Sequence, residues 1–531
     1  MDLFVLFFVQ ITVIFLLIWL FRKKDLDFCL FVEKINEKLF VGIIVLLTIA
    51  LPFLYISRGH NWGGDFSCYI AQAQSILSGT MKEQVEANTY LMSNSDFMHG
   101  PGSYPWGFPL ILAPVILVFG VNYIALKCVN VLFLMLSMLV LYKLLKVKLS
   151  LAYARVGTLF FATNSVLLSY CDDVLSDIPF LFFSLLSVYF IDRLFLSQEK
   201  QVFYGAMTGL SCFCAYFVRT NGIVSILTVV AVEFMLLVMN LGPLKKLRQK
   251  MEYPRQKPLA HIVAYAVFGC GAVIDKLIFP VGGTSYGYYF GFFSKNTLVD
   301  NFMQYFTSSF NFFITDLGNA LPVIFPLALL LVYAVKKELH RELVSFVYIA
   351  GMFALVVIFP AYQGIRYLFP ILPLMLMLGL KALLDFEKNH VKGKKFKSVF
   401  RLAVGVFICV VIVSVAYNTA LDARRVVLYD EKKDNNKSYT TDAIEVYDYI
   451  KENTDEDSII SFYKPRVLWL NTQRKGFSIS SSNIDRAEEV DYVLFSLSSA
   501  DPSLMEYCTN SESAQVVFTN DEFVLYSMGN R

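Results

Sequence analysis

The sequence predicts a polytopic α-helical membrane protein of about twelve spans with a small C-terminal α/β domain outside the membrane. Three observations carry this prediction. Of 531 residues, 56% are hydrophobic and only 17% are charged, whereas an ordinary soluble domain carries about 25% charged residues. The apolar residues fall into blocks of about 17 to 23, the length of a bilayer span, with charges confined between them. Beyond about residue 418 the pattern turns hydrophilic and mixed. These features exclude a soluble globular enzyme and a disordered chain, and a net charge of +3 gives no argument for a nucleic-acid partner.

Taken in order, the apolar runs lie near 1–21, 41–57, 123–142, 152–170, 177–196, 203–218, 221–240, 258–279, 318–335, 343–360, 366–386 and 398–417. The basic cluster Arg22, Lys23 and Lys24 follows the first run instead of preceding it, which reads as a span with its N-terminus outside, not a signal peptide. Alternating the spans gathers Lys34 and Lys38, Lys143 to Arg155, Lys245 to Lys250, Lys336 to Arg341 and Lys392 to Lys397 on one side, which the positive-inside rule makes cytoplasmic. The stretch Trp106 to Gly120 is left out of the count. It carries Pro109 and Pro114, is short, and as a span would invert every later assignment, so it reads as an interfacial or re-entrant piece. A transmembrane domain over 1–417, with a first external loop at 58–122, and an extracytoplasmic domain over 418–531 follow. The nine cysteines are scattered through apolar runs and form no disulfide framework or zinc-ligand spacing.

In the tail, Asp442 and Glu445 have capping-box spacing for a helix through Tyr449. Asp457–Tyr463, Asp491–Leu497, Ala514–Thr519 and Glu522–Met528 read as short strands. Asn520 and Asp521 between the last two suggest a tight hairpin, hence a partly antiparallel sheet.

The first loop places Phe66, Tyr69, Ile70, Ala73, Ile76 and Leu77 at helical spacing, with Gly79 as the stop. This is an amphipathic helix on the bilayer surface or against the bundle. Asp65 stands at its start after two glycines, a position that suits either an N-cap or a general base at the water–membrane boundary. Further on, Asp96 and His99 offer a second acid and a hydrogen-bond donor, and Tyr104 and Trp106 offer aromatic anchors.

The ordered segments GGDFSCYIAQAQSILSG, GSYPWGFPLILAPVILVFG, SDIPFLFFSLLSVYF, VRTNG and IRYLFPILPLM resemble the GT-C glycosyltransferases. Among these the chain looks most like the bacterial branch related to dolichyl-phosphate-mannose protein mannosyltransferases and to the aminoarabinose transferase of lipid A. The resemblance covers roughly residues 41–400 and implies an inverting transfer of a sugar from a polyprenyl-phosphate carrier to a glycan, lipid or protein acceptor. It implies the outer face of the bacterial plasma membrane, with Asp65 as base. The family often shows two adjacent acids there; here Phe66 follows Asp65, so the second acidic role is absent or falls to Asp96, Asp172 or Asp173, and dependence on a divalent cation stays open.

Arg219 and Arg366 each stand at the outer end of an apolar run, where an ionisable group is costly enough to suggest function. Planar guanidinium groups suit the carrier's phosphate, and equally suit anchoring a helix end. Asp177 precedes Ile178 and Pro179 as a helix start. Tyr286, Tyr288 and Lys295 belong to a glycine- and aromatic-rich segment suited to lining a substrate, as is Tyr104. Arg466 and its basic neighbours read as a solvated or membrane-facing edge of the tail. The expected activity is therefore a membrane glycosyltransferase; the competing readings are a multi-span transporter of a glycan or lipid, and a non-catalytic relative that kept the fold.

Overall fold

A computed structural model of the protein describes residues 33–60, 63–96, 100–240, 245–251, 253, 254, 257–282, 294–313, 338–359, 362–390, 417, 421 and 438–529. Among the described residues, six helices are long and apolar enough to cross a membrane: Glu37–Leu54, Tyr123–Lys148, Asp177–Leu196, Gln201–Val218, Thr220–Val238 and Pro258–Ile278. The pair Leu151–Ala162 and Ser165–Asp172, bent by 43°, makes a seventh if it is one span. The bend falls where Thr163 ends one helix and Asn164 caps the next, the Asn164 side chain accepting from the backbone N–H of Val166 and Leu167. These seven match the runs read from 41 to 279. Leu343–Ile358 is a shorter apolar helix, and the run near 366 opens with a 3-10 turn, Ile365–Leu368, before the helix Leu372–His390. The runs at 1–21 and 318–335, most of 398–417, and the expected boundary at residue 418 lie outside the described residues.

Helix contacts follow from small residues and from paired charge. At Gly205 and Gly209 an added Cβ would run into the backbone carbonyls of Ala260 and Ala264, so Gln201–Val218 and Pro258–Ile278 cross at backbone contact. At the end of the bundle where Lys148 lies, Lys148 Nζ is 2.8 Å from both Asp192 and Glu342, and Lys381 Nζ is 2.6 Å from Glu342 and 3.3 Å from Glu338. This buried knot ties four segments through opposite charges, because a lone charge there would be far costlier than a pair.

The stretch Trp106–Gly120 forms a helix, Gly107–Phe119, that carries Pro114 in its interior and buries Phe108 and Leu112 while leaving Leu117, Val118 and Phe119 exposed. The helix of the first loop, Gly64–Ser78, buries more than its apolar face: Ser67, Gln72 and Ser75 on the polar side are also closed off. The reason is the C-terminal unit, whose helix Pro465–Thr472 packs on the loop helix, so that one apolar core runs from the spans through Phe66 and Ile70 to Val467 and Leu468. The sheet of that unit has the order β1-β2-β4-β3, with β1 Ile460–Ser461 parallel to β2 Tyr492–Ser496, and β4 Phe523–Ser527 antiparallel to both β2 and β3 Gln515–Thr519. Its hairpin turns on Asn520, whose side-chain oxygen accepts from the backbone N–H of Glu522 and Phe523. Two details differ from the sequence reading. The helix Thr441–Asn453 is capped by Thr440, which receives the Ala443 N–H, and not by Asp442; and the first strand shortens to two residues.

The buried knot yields a test. Glu342→Gln removes the carboxylate shared by Lys148 and Lys381, and thermal unfolding in detergent should show a loss of about 3 kcal/mol. An unchanged melting temperature would show that the knot is not holding these helices.

Candidate active site

The loop helix starts at Gly64 with Gly63 as its cap residue, and no side chain caps it. Asp65 therefore sits within the first turn, and its carboxylate is turned outward to other partners instead of capping. Oδ1 accepts a hydrogen bond from the Tyr104 hydroxyl at 2.6 Å, and Oδ2 lies 3.6 Å from Nη2 of Arg366. About a third of the Asp65 side chain, 34%, remains open. Arg366 is carried by the turn Ile365–Leu368, which leaves Gly364 at φ +84°, a left-handed backbone that favours glycine.

Two further segments complete the cluster. Arg219 follows the last turn of Gln201–Val218 in extended conformation, and the chain doubles back so closely that a Cβ at Gly222 would collide with the backbone of Ala215 and Tyr216. This is why the turn after Arg219 carries glycine. Asp177, in the first turn of Asp177–Leu196, stands between the two arginines: Oδ1 is 2.8 Å from Arg219 and Oδ2 is 3.8 Å from Arg366. Both guanidinium groups lie over the Tyr367 ring, at 4.7 Å and 5.5 Å from its centroid, which adds a cation–π attraction. Asp177 is only 2% exposed and the arginines 13% and 18%, so the charges face one another in a largely dry place with one open side at Asp65.

An aromatic and polar wall holds the carboxylate. Gln72 bonds both backbone groups of Tyr104, donating to its carbonyl at 3.0 Å and accepting from its N–H at 3.1 Å. The Tyr69 ring lies 4.9 Å from that of Tyr104, and its hydroxyl pairs with Ser176 Oγ, which also receives Nη1 of Arg219. Burial, and then the charge of Asp65, push the Tyr104 phenol well above its ordinary range, so it keeps its hydrogen and donates it.

The family model of Alg9-like mannosyltransferases matches residues 95–447. The chain belongs to the Alg9-like mannosyltransferase family. No curated protein sequence matches it. Its fold is similar to that of ArnT from Cupriavidus metallidurans bound to undecaprenyl phosphate, at TM-score 0.53 and 12% identity over 92% of this chain and 97% of that one. It is also similar to the Archaeoglobus fulgidus oligosaccharyltransferase, at TM-score 0.54 and 12% identity over 88% and 70%. The archaeal AglB solved with an inhibitory peptide and a dolichol-phosphate gives TM-score 0.50 and 13% identity over 90% and 70%. A multi-pass membrane glycosyltransferase of GT-C type is thus established at the level of family and fold.

In this Alg9-like chain the predicted residues separate into two groups. Asp65, Tyr104, Arg219 and Arg366 come together. Asp96 does not join them: its carboxylate accepts from the backbone and hydroxyl of Ser480, both at 2.7 Å, and from Asn483 at 2.9 Å, which makes it a clamp between loop and C-terminal unit. Burial works against its charge, but those bonds and Arg486 hold its carboxyl below the usual range. Asp172 pairs with Lys127 at 2.7 Å and accepts from Ser57, tying two spans to the loop entrance. Asp173 adjoins His60, whose Nε2 accepts from the Val174 N–H. Burial, then the neighbouring Asp172 and Asp177, raise the Asp173 carboxyl to about 7. Lys295 begins the helix Lys295–Phe313 at an exposed position, while His99, Tyr286 and Tyr288 lie outside the described residues.

Among the described residues no three His, Cys, Asp or Glu side chains converge as metal ligands, and Asp172 and Asp177 are matched by Lys127 and Arg219. Two residues escaped the sequence reading. Asp177 looks from the sequence like any helix start, yet it joins the two arginines. Arg466, in the tail, is 3% exposed and reaches Tyr104. Its only sequence signal is an arginine placed beside a proline and an apolar run.

Because the folded state keeps the Asp173 proton up to about pH 7 while an unfolded carboxyl releases it near pH 4, stability contributed by the neutral form is lost as pH rises between these values. Asp173→Asn should therefore raise the melting temperature most at about pH 8, and progressively less as pH falls toward about 4. An equal shift at both values would contradict the assignment.

Proposed function

We propose that the protein transfers a sugar from a polyprenyl-phosphate carrier to a hydroxyl acceptor, with inversion, in the chamber bounded by Asp65, Arg219 and Arg366. The observation that carries the reading is the convergence of one partly open carboxylate with two guanidinium groups at the ends of the spans. The acceptor's hydroxyl oxygen forms a bond to the anomeric carbon as the bond from that carbon to the phosphate oxygen breaks. The hydroxyl proton passes to Asp65, and the electron pair of the broken bond stays on the phosphate, which leaves as the polyprenyl phosphate monoester. Two arginines suit that leaving group, since they offer bidentate donors to a charge that grows as the bond breaks. Asp177 orients both guanidinium groups before the carrier arrives. The fold shared with an ArnT solved with undecaprenyl phosphate supports the choice of carrier.

The chamber belongs to the outer face of the plasma membrane. Lys127 marks the site end of the span Tyr123–Lys148 and Lys148 the other, about 30 Å away at 1.5 Å per residue. Among the described residues Lys146, Arg155, Arg248 and Arg341 lie at the Lys148 end, which the positive-inside rule makes cytoplasmic. A transporter gathers its polar groups near the midplane; here they stand at the span ends. The C-terminal unit, clamped over the first loop, offers the surface that selects the acceptor.

Asp65→Asn should abolish transfer of labelled mannose from undecaprenyl phosphate while leaving the melting temperature in place; near-normal turnover rejects the base. Arg219→Ala and Arg366→Ala should each weaken undecaprenyl phosphate binding about tenfold or more, and unchanged affinity in both would move the phosphate elsewhere.

A further inference from the structure

Arg466 lies in the helix Pro465–Thr472 of the C-terminal unit, 362 residues from Tyr104 in sequence, yet its guanidinium is buried against the first loop. Nε donates to Asn88 Oδ1 at 2.9 Å, Nη2 to the Pro101 carbonyl at 2.6 Å, and Nη1 to the Tyr104 hydroxyl oxygen at 3.4 Å. The guanidinium carbon is 5.4 Å from the centre of the Tyr104 ring. Gly100, at φ +112°, makes room for this meeting: a Cβ there would stand 2.7 Å from the Tyr104 hydroxyl and 3.4 Å from Nη1 of Arg466.

The direction of the hydrogen bonds is then fixed by chemistry. A guanidinium group only donates and a carboxylate only accepts. The phenol between them therefore accepts from Arg466 and turns its own hydrogen onto Asp65, where the 2.6 Å separation is that of a charge-assisted bond. With Oδ1 so engaged, Oδ2 is the oxygen left facing the chamber.

We propose that Arg466 is a positioning residue for the transfer reaction: through the Tyr104 hydroxyl it sets which oxygen of Asp65 meets the acceptor, so that the reaction centre is complete only when the C-terminal unit is docked. The inference rests on the reading of Asp65 as base and adds to it that a residue of the tail controls that base. A mere docking role for Arg466 would act through Asn88 and Pro101 and would not pass through the tyrosine.

The test uses the full chain in detergent, with 3-fluorotyrosine placed at position 104 and labelled mannose on undecaprenyl phosphate as donor probe, an envelope extract serving as acceptor. The fluorine resonance should move on Asp65→Asn and again on Arg466→Met. In the unlabelled chain Arg466→Met and Tyr104→Phe should each lower kcat by about tenfold or more, with undecaprenyl phosphate affinity within about twofold of the native chain, and the double variant should lose little beyond either single one. If Arg466→Met loosens the fold, Tyr104→Phe decides alone, since it leaves the bonds of Arg466 to Asn88 and Pro101 intact. A resonance indifferent to Arg466→Met, a native kcat in Tyr104→Phe, or losses that multiply in the double variant would overturn the inference. Near-normal turnover in Asp65→Asn would instead overturn the base itself.

Discussion

A charge at the edge of a bilayer must find a partner, and Asp177 is the partner on which this site is built. It is nearly sealed from water and stands between Arg219 and Arg366. Neither arginine would be tolerable so deep without a counter-charge, and a buried carboxylate without them would be costlier still. The requirement brings together the starts or ends of helices that are far apart in the chain, and with them comes Asp65, paired loosely to Arg366 and open on one side. The site follows from that one arrangement: two fixed cations, one structural carboxylate, and one carboxylate with room to act.

The second organising feature is the seam between the first loop and the C-terminal unit. Asp96 receives Ser480 and Asn483 there, Trp469 donates to Gln84, and Ser438 donates to the His60 carbonyl. These bonds close a shared apolar core in which both faces of the loop helix are covered. A helix that would be half solvated on a bilayer surface thereby becomes an interior element, and its first turn, which carries Asp65, is held stiffly.

Much of the bundle was legible because span length and charge placement obey simple physics. Seven runs between 41 and 279 became helices or a broken helix, and their apolar length alone announced them. The break at Thr163 and Asn164 was not announced, since an asparagine inside an apolar run does not declare that it will cap a new helix. Arg219 and Arg366 stood out as ionisable groups at the ends of apolar runs, and Asp65 as an acid after two glycines at the start of the loop helix. Asp177 did not, because a carboxylate at a helix start looks the same whether it serves the helix or two distant arginines. Asp96 shows the converse: a polar loop acid resembles a catalytic one until its partners are known, and those lie in the tail more than 380 residues on. Arg466 was hidden for the same reason, as a contact that only the folded chain creates.

The central claim is that a lipid-linked phosphate enters the space beside Asp177 and Asp65. An experimental structure of the full chain with undecaprenyl phosphate tests it most directly. The account predicts phosphate oxygens within hydrogen-bond distance of Arg219 and Arg366, on the side of the chamber that Asp65 faces. A phosphate bound away from both arginines, or held at the Lys148 end of the bundle, would contradict it.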